Sequence, residues 1–279
     1  MFKENSVNTS TLAFIGGGNM ATSLIGGLLE KGYSANNITV SDPVKENRER
    51  LSQQFGINTT SDNNHAVASA DVVVLAVKPQ VMQQVAQGVQ AALVHQPLVI
   101  SIAAGISMSS LQAWLGQETP IVRCMPNTPA LVQTGAAGLF ANTRVNSTQQ
   151  TLAENILNAV GISCWLDDED EIDAVTAVSG SGPAYFFLIM ETMEQVGVEL
   201  GLTQEVSRKL TLQTALGAAK MAIESDVDSA ELRRQVTSPG GTTERAIETF
   251  MDEGLTDLFR KAMTGAVERA QEMAKETAS

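Results

Sequence analysis

The chain has 279 residues, of which 43% are hydrophobic and only 4% aromatic, and its 31 acidic against 18 basic side chains give a net charge of −13. That length suits two cores better than one, the aliphatic composition suits a soluble protein of close-packed helices, and so negative a surface repels nucleic acid and anionic lipid. The polar opening Met1–Ser10 lacks the apolar core of a signal peptide, and no unbroken apolar run reaches the roughly 18 residues of a membrane span, so a cytoplasmic protein with no nucleic-acid or membrane partner is expected.

Thr11-Leu12-Ala13-Phe14-Ile15 predicts a short strand, followed at once by Gly16-Gly17-Gly18-Asn19-Met20-Ala21 and a helix over Thr22 to Lys31. This is Gly-x-Gly-x-x-Ala in strand–turn–helix context: Gly16 permits the tight turn, Gly18 admits a pyrophosphate to the backbone, and Ala21 lets helix pack on strand. The alternative is a glycine turn needed only for packing. Ile38 to Ser41 predicts the second strand, with Asp42 at its end. An acid there normally bonds the adenosine ribose and disfavours a 2′-phosphate, whereas Ser41, Lys45 and Arg48 would accommodate one, which leaves NADH and NADPH both open.

Further strands are expected at Asp71 to Ala76, whose run from Val72 is fully apolar as in a central parallel strand, at Pro97 to Ile102 and at Ile121 to Met125. Their ends, Val77-Lys78-Pro79, Ala103-Ala104-Gly105 and Pro126-Asn127-Thr128-Pro129, would line a ligand crevice. Lys78 reads equally well as a solvated lysine, and Asn127 as a cap on its turn. Cys124 and Cys164 stand alone in apolar segments and read as buried, reduced thiols; no metal set is present. The acidic Asp167 to Glu171 reads as a solvated linker, placing a domain boundary near residue 168.

From Ile172 the periodicity is helical, broken at Ser179-Gly180-Ser181-Gly182-Pro183, Gly201, Asp226 to Asp228, Ser238 to Thr243, and Gly254, which gives about five helices. Ala184 to Leu200 and Leu210 to Ile223 are apolar around the whole circumference. A helical domain of this size has little interior to hide them, so a homodimer is expected; the alternative is packing against the first domain. In Ser238-Pro239-Gly240-Gly241-Thr242-Thr243 the amides of Gly241, Thr242 and Thr243 open a helix without intrahelical partners, a seat for a carboxylate, unless Ser238 or Thr242 simply caps it.

A nucleotide fold with a carboxylate seat points to hydride transfer. Alcohol oxidation also needs a base, but His65 and His95 lie in polar loops, and the lysine that β-hydroxyacid dehydrogenases place on their first interdomain helix is replaced here by Ala184 and Phe186. A cyclic imine relaxes that need, because its nitrogen carries the proton and a threonine hydroxyl beside it suffices.

The chain resembles the pyrroline-5-carboxylate reductases over nearly its whole length. The resemblance rests on Phe14 to Met20, Ala76-Val77-Lys78-Pro79, Ser101 to Gly105, Met125 to Ala130, Asp173 to Thr176, Ser179 to Tyr185 and Ser238 to Thr243. It implies an α/β fold, with a Rossmann-type doubly wound sheet over residues 1–168 and an all-α domain for dimerisation and substrate binding over 169–279. It further implies that Ile15, Gly16, Gly17, Gly18, Asn19 and Met20 hold the dinucleotide phosphates, that Ser41 and Asn63 lie at the adenosine end, and that Ala76, Val77, Lys78, Pro79, Ala103, Ala104 and Gly105 line the nicotinamide side. Gly240, Gly241, Thr242 and Thr243, with Ser238, would hold the pyrroline ring, with Thr243 the main catalytic hydroxyl. The family implies NADPH, with NADH the alternative that Asp42 keeps open, and dimers that in some members assemble into decamers. Its reaction is the last step of proline biosynthesis. A reductase of a larger cyclic imino acid and a non-catalytic NADP(H) sensor are the competing functions.

Overall fold

The computed structural model describes residues 9–278, so the expectation drawn from Met1–Ser10 lies outside the described residues up to position 8. Strands β1 (Leu12–Ile15), β2 (Ile38–Ser41), β3 (Asn58–Thr60), β4 (Val72–Leu75), β5 (Leu98–Ser101), β6 (Ile121–Met125), β7 (Gly135–Ala141) and β8 (Gly161–Trp165) form one sheet in the order β3-β2-β1-β4-β5-β6-β7-β8. Every pairing is parallel except β6 with β7, where Cys124 lies opposite Leu139.

Strands β1 and β4 are apolar on every residue because both faces are covered. Leu12 and Phe14 of β1 pack on one side with Leu24, Ile25 and Leu28 of α1 (Asn19–Glu30) and Ile156 of α6 (Ser147–Leu157). Ala13 and Ile15 pack on the other with Met82 and Ala86 of α4 (Pro79–Val89) and Leu111 and Trp114 of α5 (Met108–Leu115). Burying each such large side chain stabilises the fold by about 1.5–3 kcal/mol relative to exposure. Two short helices complete the crossovers, α2 (Lys45–Phe55) and α3 (Asn63–Val67). Alternation at the sheet edge corrects one expectation: Cys124 on β6 is buried, whereas Cys164 on the edge strand β8 is exposed.

The chain forms two compact units, one running to Ser181 and resuming at Ala266, the other Gly182–Gly265. The first unit ends with α7 (Glu171–Val175) and a wide π-helical turn, Thr176–Gly180. The break expected at Ser179 to Pro183 is therefore no break. The amide of Ser181 reaches back five residues to the Thr176 carbonyl at 2.8 Å, and the backbone continues into α8 (Gly182–Glu199).

The second unit comprises α8, α9 (Gln204–Glu224), α10 (Ser229–Gln235), α11 (Thr242–Asp252) and the first half of α12 (Leu255–Ala278). Helices α8 and α9 meet where Gly197 faces Ser207, whose hydroxyl donates to the Glu194 carbonyl at 2.8 Å. Only Gly182, Ser207 and Thr211 are buried in this unit. Phe186, Phe187 and Leu188, consecutive on α8, are each more than 60% exposed. The run Glu171–Glu199 is long enough and, at a mean hydropathy of 1.3, apolar enough to cross a bilayer. The expectation that no run qualifies holds only for unbroken apolar stretches, since Ser179, Ser181 and Glu191 interrupt this one.

Candidate functional site

Gly16 is the pivot of the first turn. Its φ of +101° is open to glycine, its amide donates to the Ser41 carbonyl at 2.8 Å, and a Cβ there would lie 2.7 Å from the carbonyl oxygen of Ala76. The turn is thus pressed between the ends of β2 and β4. Around Gly18 there is nothing within 4 Å of an added Cβ, so its face is open. Gly18 caps α1 without a side-chain bond and no acid stands in the first turn, which leaves the amides of Asn19, Met20 and Ala21 free to meet an anion. These are the features a pyrophosphate requires.

Beside this turn runs a groove of about 520 Å³ lined by Ile15, Gly16, Ser41, Pro43, Asn63 and Val77. It brings together the two residues expected at the adenosine end: the buried Ser41 hydroxyl donates to Asn63 Oδ1 at 2.7 Å. Lys78 stands exposed at the cap of α4, with Pro79 opening the helix. Both histidines are exposed, His95 with its Nε2 3.0 Å from the Ala70 carbonyl.

Ala103, Ala104 and Gly105 follow β5 and line a second, smaller cavity of about 180 Å³ within the first unit, with Met125, Asp173 and Met273. Against its wall residue Arg123 lies one that sequence reasoning missed. Glu169, expected in a solvated linker, instead accepts from the Met108 amide at 2.6 Å and pairs with the buried Arg123 of β6. Desolvation raises the pKa of the neighbouring Asp173, against the opposing pull of Arg123 and a hydrogen bond from Gln271. Asn127, buried, donates to the Ser179 carbonyl at 3.0 Å and accepts from the Ala136 amide at 2.9 Å, so it ties the end of β6 to the π turn and to β7. Gly180 lies against the Met125 side chain, whose Cε would be 2.6 Å from an added Cβ.

In the second unit, Ser238 to Thr243 form an exposed loop into α11. Gly240, at φ +69°, donates its amide to Glu244 Oε2 at 2.6 Å, and the Gly241 amide donates to the Ser238 carbonyl at 3.0 Å. Two of the loop's amides are therefore engaged, Gly241 among them, and those of Thr242 and Thr243 are left for an anion. Neither Ser238 nor Thr242 caps the helix; Gly241 does, without a side-chain bond.

Residues 169–273 match the family model described as pyrroline-5-carboxylate reductase dimerisation, and residues 11–105 that described as NADP oxidoreductase, coenzyme F420-dependent. The chain is 55% identical to the pyrroline-5-carboxylate reductase of Pseudomonas aeruginosa over 97% of its own length and 99% of the relative's. It is 46% identical to that of Pasteurella multocida, over 96% and 99%. A solved reductase of this name from Coxiella burnetii superposes with a TM-score of 0.93 at 47% identity, covering 95% of this chain and 99% of that one. The Plasmodium falciparum enzyme, solved with NADP bound, gives 0.85 at 31% identity, covering 96% and 100%. With relatives this close along nearly the whole chain, the protein belongs to the pyrroline-5-carboxylate reductase family.

Proposed function

We propose that the chain reduces L-1-pyrroline-5-carboxylate to L-proline with NADPH, the last step of proline biosynthesis. The observation that carries this reading is the presence, in a chain 55% identical to a reductase of that name, of two helix entries without a side-chain cap, each with first-turn amides able to meet an anion. One is a glycine turn whose backbone can approach a pyrophosphate, the other a short helix entry carrying two hydroxyls.

Residues 1–168 serve as the nucleotide domain and 169–279 as the dimerisation and substrate domain. Ile15 to Met20 hold the phosphates, Ser41 and Asn63 the adenosine end, and Ala76 to Pro79 with Ala103 to Gly105 the nicotinamide side. When bound, the reduced nicotinamide supplies the hydride that the imine carbon accepts. The amides of Thr242 and Thr243 hold the substrate carboxylate, in a turn kept in shape by Gly240, Gly241 and Ser238. The Thr243 hydroxyl bonds the ring nitrogen, steadying its proton as the carbon–nitrogen double bond becomes single. Neither histidine takes part, and the imine needs no strong base. The working form is a cytoplasmic homodimer or a larger assembly of dimers, with neither nucleic acid nor membrane as partner.

NADPH oxidation followed at 340 nm with the five-membered imine tests the reaction, and the six-membered imino acid is the discriminating competitor. Thr243→Ala is expected to lower kcat by about 10²-fold while NADP⁺ affinity stays within twofold. Unchanged turnover removes Thr243 from the mechanism, and a wild-type enzyme that binds nucleotide but reduces neither imine favours a sensor.

A further inference from the structure

The acid at the end of β2 does not face the groove. Asp42 is only 6% exposed, and its two oxygens are turned into the protein: Oδ2 accepts from the Gly17 amide at 2.8 Å, while Oδ1 accepts from the Val44 amide at 2.8 Å and from Asn47 Nδ2 at 3.3 Å. The wall of the groove includes Ser41 and Pro43 on either side but not Asp42 between them. A Cβ on Gly17 would come within 3.2 Å of Oδ2 and 2.7 Å of Leu51, so the amide and the carboxylate are matched to each other. Arg50 completes the grip on the same residue, with Nη2 3.2 Å from the Gly17 carbonyl.

A cationic group is bonded to Pro43, which lines the groove. Arg48 Nη1 donates to the carbonyls of Asp42 at 2.7 Å and Pro43 at 3.0 Å, which fixes the guanidinium against the segment that walls the groove. Its partners are carbonyls, and among the described residues no carboxylate forms an ion pair with it, whereas Lys45 on the same helix is paired with Glu49 at 3.3 Å. A planar guanidinium held in place suits a phosphate better than a mobile ammonium does.

Resting on the dinucleotide reading above, we propose that Asp42 is a positioning residue of the glycine turn and not a ribose ligand, and that Arg48 is the group that distinguishes a nucleotide with a 2′-phosphate from one without. Three N–H donors engage the Asp42 carboxylate and hold it toward the glycine turn, so it is not presented to a ribose hydroxyl. Sequence logic that assigns an acid at this position to NADH therefore fails here for a geometric reason.

Calorimetric titration of the full-length protein with NADP⁺ and with NAD⁺ separates the possibilities. Wild type that binds neither would remove the dinucleotide reading itself. Given binding, Asp42→Asn is expected to weaken both nucleotides by the same factor, about five- to tenfold, leaving their ratio within twofold, and Asp42→Ser serves if Asn47 and Val44 do not tolerate the amide. Arg48→Gln is expected to weaken NADP⁺ about tenfold more than NAD⁺, with Arg48→Lys recovering part of the difference. The ³¹P resonances of bound NADP⁺ provide a second readout: Asp42→Asn should move the pyrophosphate signals, Arg48→Gln the 2′-phosphate signal. A shift of more than fivefold in the nucleotide ratio on Asp42→Asn, unweakened binding of both nucleotides in that variant, or an unchanged ratio on Arg48→Gln would each overturn the assignment.

Discussion

Asp173 shows how one side chain near the Ala103–Gly105 loop feels competing terms. Burial disfavours its charge more strongly than Arg123 and Gln271 favour it, with Asp170 and Glu169 adding to the rise, so its folded pKa lies above the ordinary carboxylate value. The folded state then holds its proton to higher pH than the unfolded state does. Its contribution to stability is fully present below the unfolded value and is lost as pH rises through the raised folded value. Asp173→Asn should therefore melt like wild type in mild acid and at a higher temperature than wild type near neutrality; thermal scans from pH 3.5 to 7.5 check this, and a variant less stable at pH 7 would show that the Arg123 attraction wins. The same scale holds what the sequence did not disclose. Glu169 looked like one acid among several, and nothing in Asp167 to Glu171 marks the carboxylate that meets Arg123, since that pairing depends on where β6 ends.

At the scale of elements, the strand–turn–helix start was legible because its determinants are local: a buried strand, a glycine at positive φ, and an uncapped helix entry. Strands β7 and β8 were not. Gly135-Ala136-Ala137-Gly138 has neither alternation nor β-branched residues, and its small residues are there because larger ones would collide. A Cβ on Gly138 would meet Val175 at 2.8 Å, and one on Gly135 the Val160 carbonyl at 3.0 Å. The π turn was missed for a related reason: Ser179-Gly180-Ser181-Gly182-Pro183 carries every sign of a helix end, and the turn persists because Asn127 takes up the Ser179 carbonyl. Asn127→Ala would strand both Ser179 and Ala136, so a loss of about 2–4 kcal/mol is expected in denaturant unfolding, with faster hydrogen exchange at the Ser181 amide. A loss below about 0.5 kcal/mol would mean that the turn holds itself.

For the molecule as a whole, the expectation of an unpartnered apolar surface came from the apolar circumference of Ala184 to Leu200 and Leu210 to Ile223, and it agrees with the match of residues 169–273 to a dimerisation domain. The second unit buries only a glycine, a serine and a threonine, so it lacks the oily interior that ordinarily sustains a helical domain, and the dimerisation-domain match points to a partner chain as its source. Mass action then enters the folding equilibrium: dilution should lower the melting temperature, by about one or two degrees per tenfold, where a self-sufficient subunit would melt at the same point at any dose. Newly made chains accordingly face a search for a partner before the stretch from Gly182 to Gly265 acquires a core, and the scarcer the protein, the longer its greasiest helices stay open to water.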